Sequence, residues 1–364
     1  MQDPIDLRAL RDIGLTHDTV QAALACAHPD DTRLARVVEI QRDRLVVHDG
    51  HAAWPVALWP TLRVLLDSEQ DALVVGDWVW WKRREPGDAA GERGWAVARI
   101  AARNRLTRRD PAGGRQGLVA NIDTALLVMG LDHDFNLRRL DRFLVLAHSA
   151  TLRSVVVLTK ADACDDPAAA VARVRAHVGA AGGEALAVVA VDGRSAGARE
   201  LLAPWLACGQ TLVMLGSSGA GKTTLTNTLT GIDGLTGVVR ESDGRGQHTT
   251  TVRTLHQTAS GACLIDTPGL RQLWLDADAT QLQGAFPEIG ALALQCRYRN
   301  CRHTSEPGCA VREQVAPERL KSFQKLLREA QRDQVDVFAR QRQLAQYKRR
   351  AREARQRLFE KTRG

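Results

Sequence analysis

Residues 211–223 read TLVMLGSSGAGKT, an apolar run that ends in the pattern G-x-x-x-x-G-K-[ST]. That pattern needs a buried strand before it, a tight glycine turn, and a helix starting at its lysine, so it commits the surrounding chain to an α/β sheet. Without Cβ atoms in the way, consecutive backbone N–H groups turn inward around phosphate oxygens at the helix N-terminus. Gly216, Ser217, Ser218, Gly219, Ala220, Gly221, Lys222, Thr223 and Thr224 make up the candidate phosphate cradle. Lys222 neutralises the outer phosphates during hydrolysis, which makes it a catalytic candidate, and the Thr223 hydroxyl suits Mg²⁺. A glycine turn without a ligand is the competing reading; the flanking strand, the helix and the Lys-Thr pair argue against it.

Two further motifs share this chemistry. LIDTPG delivers Asp266 to a strand end, where NTPases of this kind keep a carboxylate for Mg²⁺, and Gly269 is placed to offer its N–H to the γ-phosphate. Between them, GRGQHTTT provides a hydroxyl for the metal from Thr250 or its neighbour Thr249. Upstream, SVVVLTKAD carries Thr159, Lys160, Ala161 and Asp162 to the end of another strand. A carboxylate there accepts hydrogen bonds from the N1–H and exocyclic amine of guanine, a pair adenine lacks, while the lysine stem lies along the base. In an ordinary G-domain this base reader follows the phosphate loop. Here it comes first, and the order describes a circular permutation.

The apolar runs TALLVMG, SVVVLTK, ALAVVAV, TLVMLG and ACLIDT alternate with helical segments between Gln116 and about Leu275, predicting a parallel sheet covered on both faces. Before it, after a helical stretch over Ile5–Ala27, the runs LARVVEI, RLVVHD, LRVLLD, DWVWWK and WAVARIAAR predict five short strands. Such a set fits a small barrel of the OB type, and an SH3-like barrel would look similar. Trp78 and Trp80 alternate onto one face and Trp81 onto the other. Most of these rings belong in a core; an outward one beside Lys82, Arg83 and Arg84 suits stacking on a base.

Cys296, Cys301, His303 and Cys309 fall within fourteen residues, three thiolates and an imidazole that suit one tetrahedral, structural Zn²⁺. Arg297, Arg299 and Arg302 interleave these ligands. From Pro317 to Gly364 there are 15 Lys and Arg against 6 Asp and Glu, and from Lys82 to Arg115 there are 10 against 4. The net charge of +8 is therefore concentrated in two segments on an acidic body, which points to a polyanionic partner rather than an evenly mixed surface. A solvated helical face is the alternative for the tail. No apolar run reaches the length of a membrane span and the start of the chain lacks a secretory h-region, so a cytoplasmic protein without a membrane partner is expected, with monomer as the default.

The order TKAD, GSSGAGKT, HTTT, DTPG, with a barrel before and a Cys/His unit after, resembles the RsgA (YjeQ) family of circularly permuted ribosome-assembly GTPases. The resemblance covers nearly the whole chain, including RRDPAGGRQGLVANID at the junction after the barrel. It implies a multidomain α/β protein: an N-terminal helical extension (1–33), an OB-like RNA-binding barrel (34–105), a circularly permuted P-loop GTPase domain (106–275), and a zinc-binding helical module with a basic C-terminal helix and tail (276–364). It also implies a cytoplasmic GTPase, slow alone and stimulated by the small ribosomal subunit, that binds the subunit and its rRNA late in maturation and leaves after hydrolysing GTP to GDP. One departure is VAVDGRSAG, where relatives carry a Ser-Ala loop near the base. Leu270 follows Gly269 where many GTPases soon place a water-orienting glutamine. His248, in the switch segment, is the internal candidate for that role; a solvent-facing histidine is the other reading, and the resemblance favours the first. The runner-up function is an RNA-binding assembly factor that uses GTP only as a binding switch. An ATP-dependent nucleic-acid enzyme is opposed by Asp162.

Overall fold

The computed structural model of the chain describes residues 5–41, 44–83, 94–109, 114–178, 186–231, 253–266 and 279–331. The expected N-terminal helical stretch is two helices, α1 (Leu7–Asp12) and α2 (His17–Ala25). Asp6 caps the first through the N–H groups of Arg8 and Ala9, and Thr16 caps the second. They are divided at Gly14, whose φ of +92° is costly for residues with a Cβ, and a Cβ there would lie 2.1 Å from Arg36 Nη1.

Five strands follow: β1 (Arg33–Gln41), β2 (Arg44–His48), β3 (Ala53–Leu58), β4 (Trp78–Arg83) and β5 (Gly94–Arg99). They pair in the order β1-β2-β3-β5-β4, and β4 returns to β1 to close a barrel. The parallel β3–β5 pairing, with helix α3 (Pro60–Glu69) between β3 and β4, selects the OB arrangement over the SH3-like one. One sequence expectation is corrected here. LRVLLD is not a strand but lies within α3, and the third strand is AWPVAL just before it. Pro60 occupies the first turn, Leu62 and Leu66 are buried one helical turn apart, and Val64 and Leu65 face outward. Trp81 packs inside the barrel with Val37, Val47 and Val79, whereas Trp78 and Trp80 pack on the opposite side against Leu10, Ile13 and Leu15 of the N-terminal hairpin.

An antiparallel ribbon, β6 (Arg105–Arg109) and β7 (Arg115–Ala120), leads into the second unit. There β8 (Thr124–Gly130), β9 (Arg153–Thr159), β10 (Ala187–Ala190), β11 (Thr211–Leu215) and β13 (Cys263–Asp266) are parallel, in the order β10-β9-β8-β11-β13. Helices α4 (Leu137–Ser149), α5 (Pro167–Val178), α6 (Gly197–Leu202) and α7 (Lys222–Thr230) make the connections. Leu127, Val156 and Val213 point to the face covered by α4, and Leu126, Val155 and Leu212 to the face covered by α6 and α7. Burial on both faces explains why these strands read as continuous apolar runs.

Strand β12 (Arg253–Gln257) was not legible in the sequence. It runs antiparallel to β13 on one side and to β1 on the other, pairing Glu39 with Thr254 and Ile40 with Arg253. The barrel and the parallel sheet thus form one continuous sheet. Arg36 reinforces this joint from beneath. Fully buried, it donates to Ile13 O at 2.6 Å, Thr211 Oγ1 at 2.9 Å and Asn121 O at 3.0 Å.

The C-terminal unit comprises α8 (Ala279–Gly284), α9 (Pro287–Ala293), α10 (Ala310–Gln314) and α11 (317–331). Phe286, Ile289, Val311, Phe323 and Leu326 join the same hydrophobic cluster as Phe143 and Leu146 of α4, so this unit shares a core with the parallel sheet. Among the described residues no helix is long and apolar enough to cross a membrane.

Candidate functional site

The glycine loop Gly216–Gly221 links β11 to α7 between the β8 and β13 ends of the sheet. Gly216 is pressed so closely to β8 that a Cβ would lie 2.4 Å from Val128 O. Gly219 has φ +85° and faces open space, with nothing within 4 Å of a Cβ position. No side chain caps the start of α7, so its first N–H groups face the hollow of the loop. Lys222 is buried and its Nζ donates to Gly216 O at 2.8 Å and Ser217 O at 2.6 Å. Burial holds its pKa below the ordinary lysine value, and the carboxylates of Asp266 and Asp134 pull it back up. The residues therefore fit a bound polyphosphate: uncapped helix donors, one buried cation and an open glycine face.

The TKAD segment, the candidate base reader, lies against the same loop. Thr159, at the end of β9, is buried and donates from Oγ1 to Ala220 O at 2.6 Å. Lys160 takes a left-handed conformation, φ +60°, and Asp162 is exposed in the short 3₁₀ turn that follows. Asp266 closes β13 one strand over from β11, and Thr223 and Thr224 are exposed on the first turn of α7. The fold thus brings Thr159–Asp162, Gly216–Thr224 and Asp266 to the C-terminal edge of one parallel sheet, where such sheets bind ligands. His248, Thr249, Thr250 and Gly269 lie outside the described residues.

Three residues of this site went unread in the sequence. Asp134, in the GLDHDF turn after β8, is buried; it accepts from the Ser217 hydroxyl, from an Arg139 guanidinium and from Gly130 N at 3.2 Å. Asp132 holds Lys160 Nζ at 2.7 Å, and that hydrogen bond keeps its carboxyl below the usual range. Gly193 stands in the loop after β10; its carbonyl accepts from Thr228 Oγ1 at 2.6 Å, and the nearby Val191 carbonyl accepts from Ala161 N at 3.2 Å. The available signal was the acidic pair itself at a strand end.

The four metal-ligand candidates converge. One ligand atom from each of Cys296, Cys301, His303 and Cys309 lies within 4.8 Å of the others. Cys296 Sγ is 3.8 Å from Cys309 Sγ and 3.6 Å from His303 Nδ1, and His303 Nδ1 is 3.4 Å from Cys309 Sγ. A tetrahedron with Zn–S bonds of about 2.3 Å has S···S edges of about 3.8 Å, so the spacing and the donor set fit one Zn²⁺. Glu306 pre-forms the intervening loop by accepting from the N–H groups of Arg302, Thr304 and Ser305, which lower its pKa to about 2. Gln324 of α11 donates to His303 O at 2.6 Å, tying this loop to the last helix.

The barrel carries aromatic and cationic groups together. Lys82 Nζ lies 4.4 Å from the Trp59 ring and Arg83 lies 4.6 Å from the Trp54 ring, and both tryptophans are half-buried. Trp78, Trp80 and Trp81 are core.

Comparison with known proteins agrees with this architecture. The family model described as RsgA GTPase matches residues 100–276. The small ribosomal subunit biogenesis GTPase RsgA of Xylella fastidiosa (strain M23) is 44% identical over 311 residues, 83% of this chain and 89% of the relative. Its namesake in Xanthomonas campestris pv. campestris (strain B100) is 41% identical over 326 residues, 86% of this chain and 85% of the relative. The crystal structure of YjeQ from Thermotoga maritima aligns with a TM-score of 0.59 at 25% identity, over 82% of this chain and 98% of that one. That of YloQ, titled a circularly permuted GTPase, aligns at 0.55 and 20% identity, over 84% and 98%, and bears on the fold alone. With its TKAD segment ahead of the glycine loop along the chain, and with relatives of 41–44% identity matched over more than four-fifths of its length, the chain belongs to the RsgA GTPase family.

Proposed function

We propose that the chain hydrolyses GTP on the small ribosomal subunit during late maturation and that hydrolysis drives its release. The observation that carries this reading is the Thr159–Ala220 hydrogen bond, which locks the base-reading segment to the phosphate loop despite their reversed order. Asp162 reads guanine, the N–H groups of Gly216–Thr224 hold the phosphates, and Lys222 leaves its two carbonyls to neutralise the outer ones. Thr223, Asp266 and Thr250 are the Mg²⁺ candidates, and Gly269 is the γ-phosphate sensor. Mg²⁺, when bound, neutralises charge on the phosphate oxygens. His248 orients the attacking water once the subunit completes the site. The Cys296–Cys301–His303–Cys309 zinc is structural, with no position left for a substrate. The barrel's Trp54, Trp59, Lys82 and Arg83 present stacking rings and cations to rRNA. The protein works in the cytoplasm as a monomer.

A second reading, a GTP-gated RNA-binding factor with negligible turnover, is favoured by Leu270 at the position after Gly269. The hydrolysis rate with small subunits, with large subunits and with neither decides between them. Stimulation by small subunits alone, diminished in His248→Ala, supports the enzyme. GTP-dependent binding without stimulation supports the switch.

A further inference from the structure

The carboxylate of Asp134 sits against the glycine loop without belonging to any of the nucleotide motifs. Gly130 ends β8, and the chain turns through residues 131–135 before α4 begins. Asp132 Oδ1 accepts from Asp134 N at 3.0 Å and Phe135 N donates to Asp132 O at 3.0 Å, which folds the turn back over the strand end. Asp134 is only 6% exposed there. Gly130 N donates to its Oδ2 at 3.2 Å, while Oδ1 takes both the Arg139 guanidinium of α4 and the Ser217 hydroxyl of the loop. The contacts with Gly130 and Arg139 tie the carboxylate to a strand end and to a helix. The contact with Ser217 carries that rigidity across to the loop.

With Gly216, Gly219 and Gly221 in it, the loop is a stretch of high backbone freedom. It is held near both ends. Asp134 holds Ser217 near the start, and the Ala220 carbonyl near the end accepts from Thr159 Oγ1 at 2.6 Å. Ser218 and Gly219 lie exposed between these contacts. The Ser217 carbonyl also accepts from Lys222 Nζ, so the residue that Asp134 fixes is one of those that park the lysine. Fixing the loop before a ligand arrives removes part of the ordering cost from binding. Position 134 calls for an acceptor-only side chain, because each of its partners is a donor. An amide there would turn its NH₂ either on Gly130 N–H or on the Ser217 and Arg139 pair.

We infer that Asp134 is a positioning residue for the phosphate cradle: through the Ser217 hydroxyl it sets the glycine loop in its phosphate-binding shape. The inference rests on the nucleotide-binding reading above and adds to it a residue outside the motifs. Asp134 acts on the phosphates through Ser217 rather than by contact. Its loss therefore lowers affinity for ligands that carry phosphate and spares recognition of the base, which that reading gives to Asp162 at another strand end.

The test measures displacement of a fluorescent GDP by guanosine and by GDP on the full-length protein. Wild type, Asp134→Asn, Ser217→Ala and the double variant are compared, with thermal unfolding reporting whether each is folded. Each single variant should weaken GDP about tenfold, the low end for a hydrogen bond to a charged group, and guanosine less than about twofold. The double variant should bind GDP within about twofold of the weaker single one, because both substitutions remove the same contact. A purely structural role for Asp134 would lower guanosine and GDP together and add to Ser217→Ala in the double variant. Equal losses of guanosine and GDP in folded Asp134→Asn overturn the inference, and so do additive losses. Where Asp134→Asn fails to fold, Ser217→Ala decides, since it leaves Asp134 with Arg139 and Gly130; GDP affinity equal to wild type then overturns it. If wild type binds no GDP, the nucleotide reading itself falls, and this inference with it.

Discussion

Arg319→Met should detach the C-terminal unit while leaving the nucleotide site assembled. Arg319 is 2% exposed on α11 and reaches three neighbours. Nη1 meets the fully buried Asp141 of α4, Nε donates to Glu288 Oε1 at 2.8 Å, and Nη2 donates to Ala285 O at 3.2 Å. Its guanidinium also lies 3.9 Å from the Phe286 ring. Methionine keeps most of the apolar stem, so the loss is one of charge and hydrogen bonds rather than of volume. Asp141 retains His177 Nε2 at 3.0 Å, but Glu288 loses its arginine partner. Removing one member of a buried pair costs about 3–5 kcal/mol. A cost of about 4 kcal/mol, at 1.4 kcal/mol per tenfold, raises exchange of the α11 amides roughly 10³-fold. The assay is native-state hydrogen exchange, with GDP binding as a parallel readout that should hold. Adding Asp141→Leu removes the stranded charge, and the double variant should recover about 0.5–3 kcal/mol relative to additivity. A rise in α11 exchange below about tenfold, or strict additivity, would refute the view that this ion cluster clamps α11 to α4.

Three further outcomes are expected. A zinc chelator, or Cys309→Ser, should release one zinc per chain in a colorimetric assay and loosen α11 through the Gln324–His303 contact; release of no metal refutes the cluster as a zinc site. Asp162→Asn should weaken GDP binding by about 10- to 100-fold, the loss of one or more hydrogen bonds to a charged acceptor, with ADP binding unaffected; equal GDP affinity refutes the base-reader assignment. Asp77, buried behind Arg105, has its pKa raised to about 6 by desolvation, so its contribution to stability is present at low pH and lost as pH rises through 6. Urea unfolding should show wild type losing about 3 kcal/mol relative to Asp77→Asn between about pH 4 and 6, and a flat difference removes the claim.

Burial decided what could be read from the sequence. Strands β8, β9 and β11 are covered on both faces and appear as unbroken apolar runs, while the phosphate loop and the Cys/His cluster announce themselves by chemistry within a few residues. The features that escaped are those whose meaning lies across the chain. RTLHQ has no apolar run because β12 is half-buried between β13 and β1. RLTRR and RQGLVA hold no apolar run long enough to announce a strand, yet they pair as a ribbon. Pro55 interrupts AWPVAL, which weakens its strand pattern, and the neighbouring LRVLL imitates a strand although Leu62 and Leu66 share a helical face. Asp134 meets Ser217 from 83 residues away and Arg319 meets Asp141 from 178, separations at which neither period nor propensity carries a signal.

The reversed motif order acquires a physical consequence from this connectivity. Two segments carry the candidate switch motifs, and each leaves an element of the glycine-loop site. The first, with His248 and the threonine run, leaves the phosphate-loop helix α7 and re-enters at β12, which is hydrogen-bonded to the barrel through Ile40 and Glu39. The second, with Gly269, leaves Asp266 at the end of β13 and re-enters at α8, which packs on α4 and shares its core with the zinc-ligand unit. Here the first re-enters at a strand shared between the barrel and the parallel sheet, and the second at a helix packed between α4 and the C-terminal unit. On the proposed reading, exchanging GDP for a GTP analogue should therefore change hydrogen exchange in β12 and α8, and unchanged exchange in both would refute it.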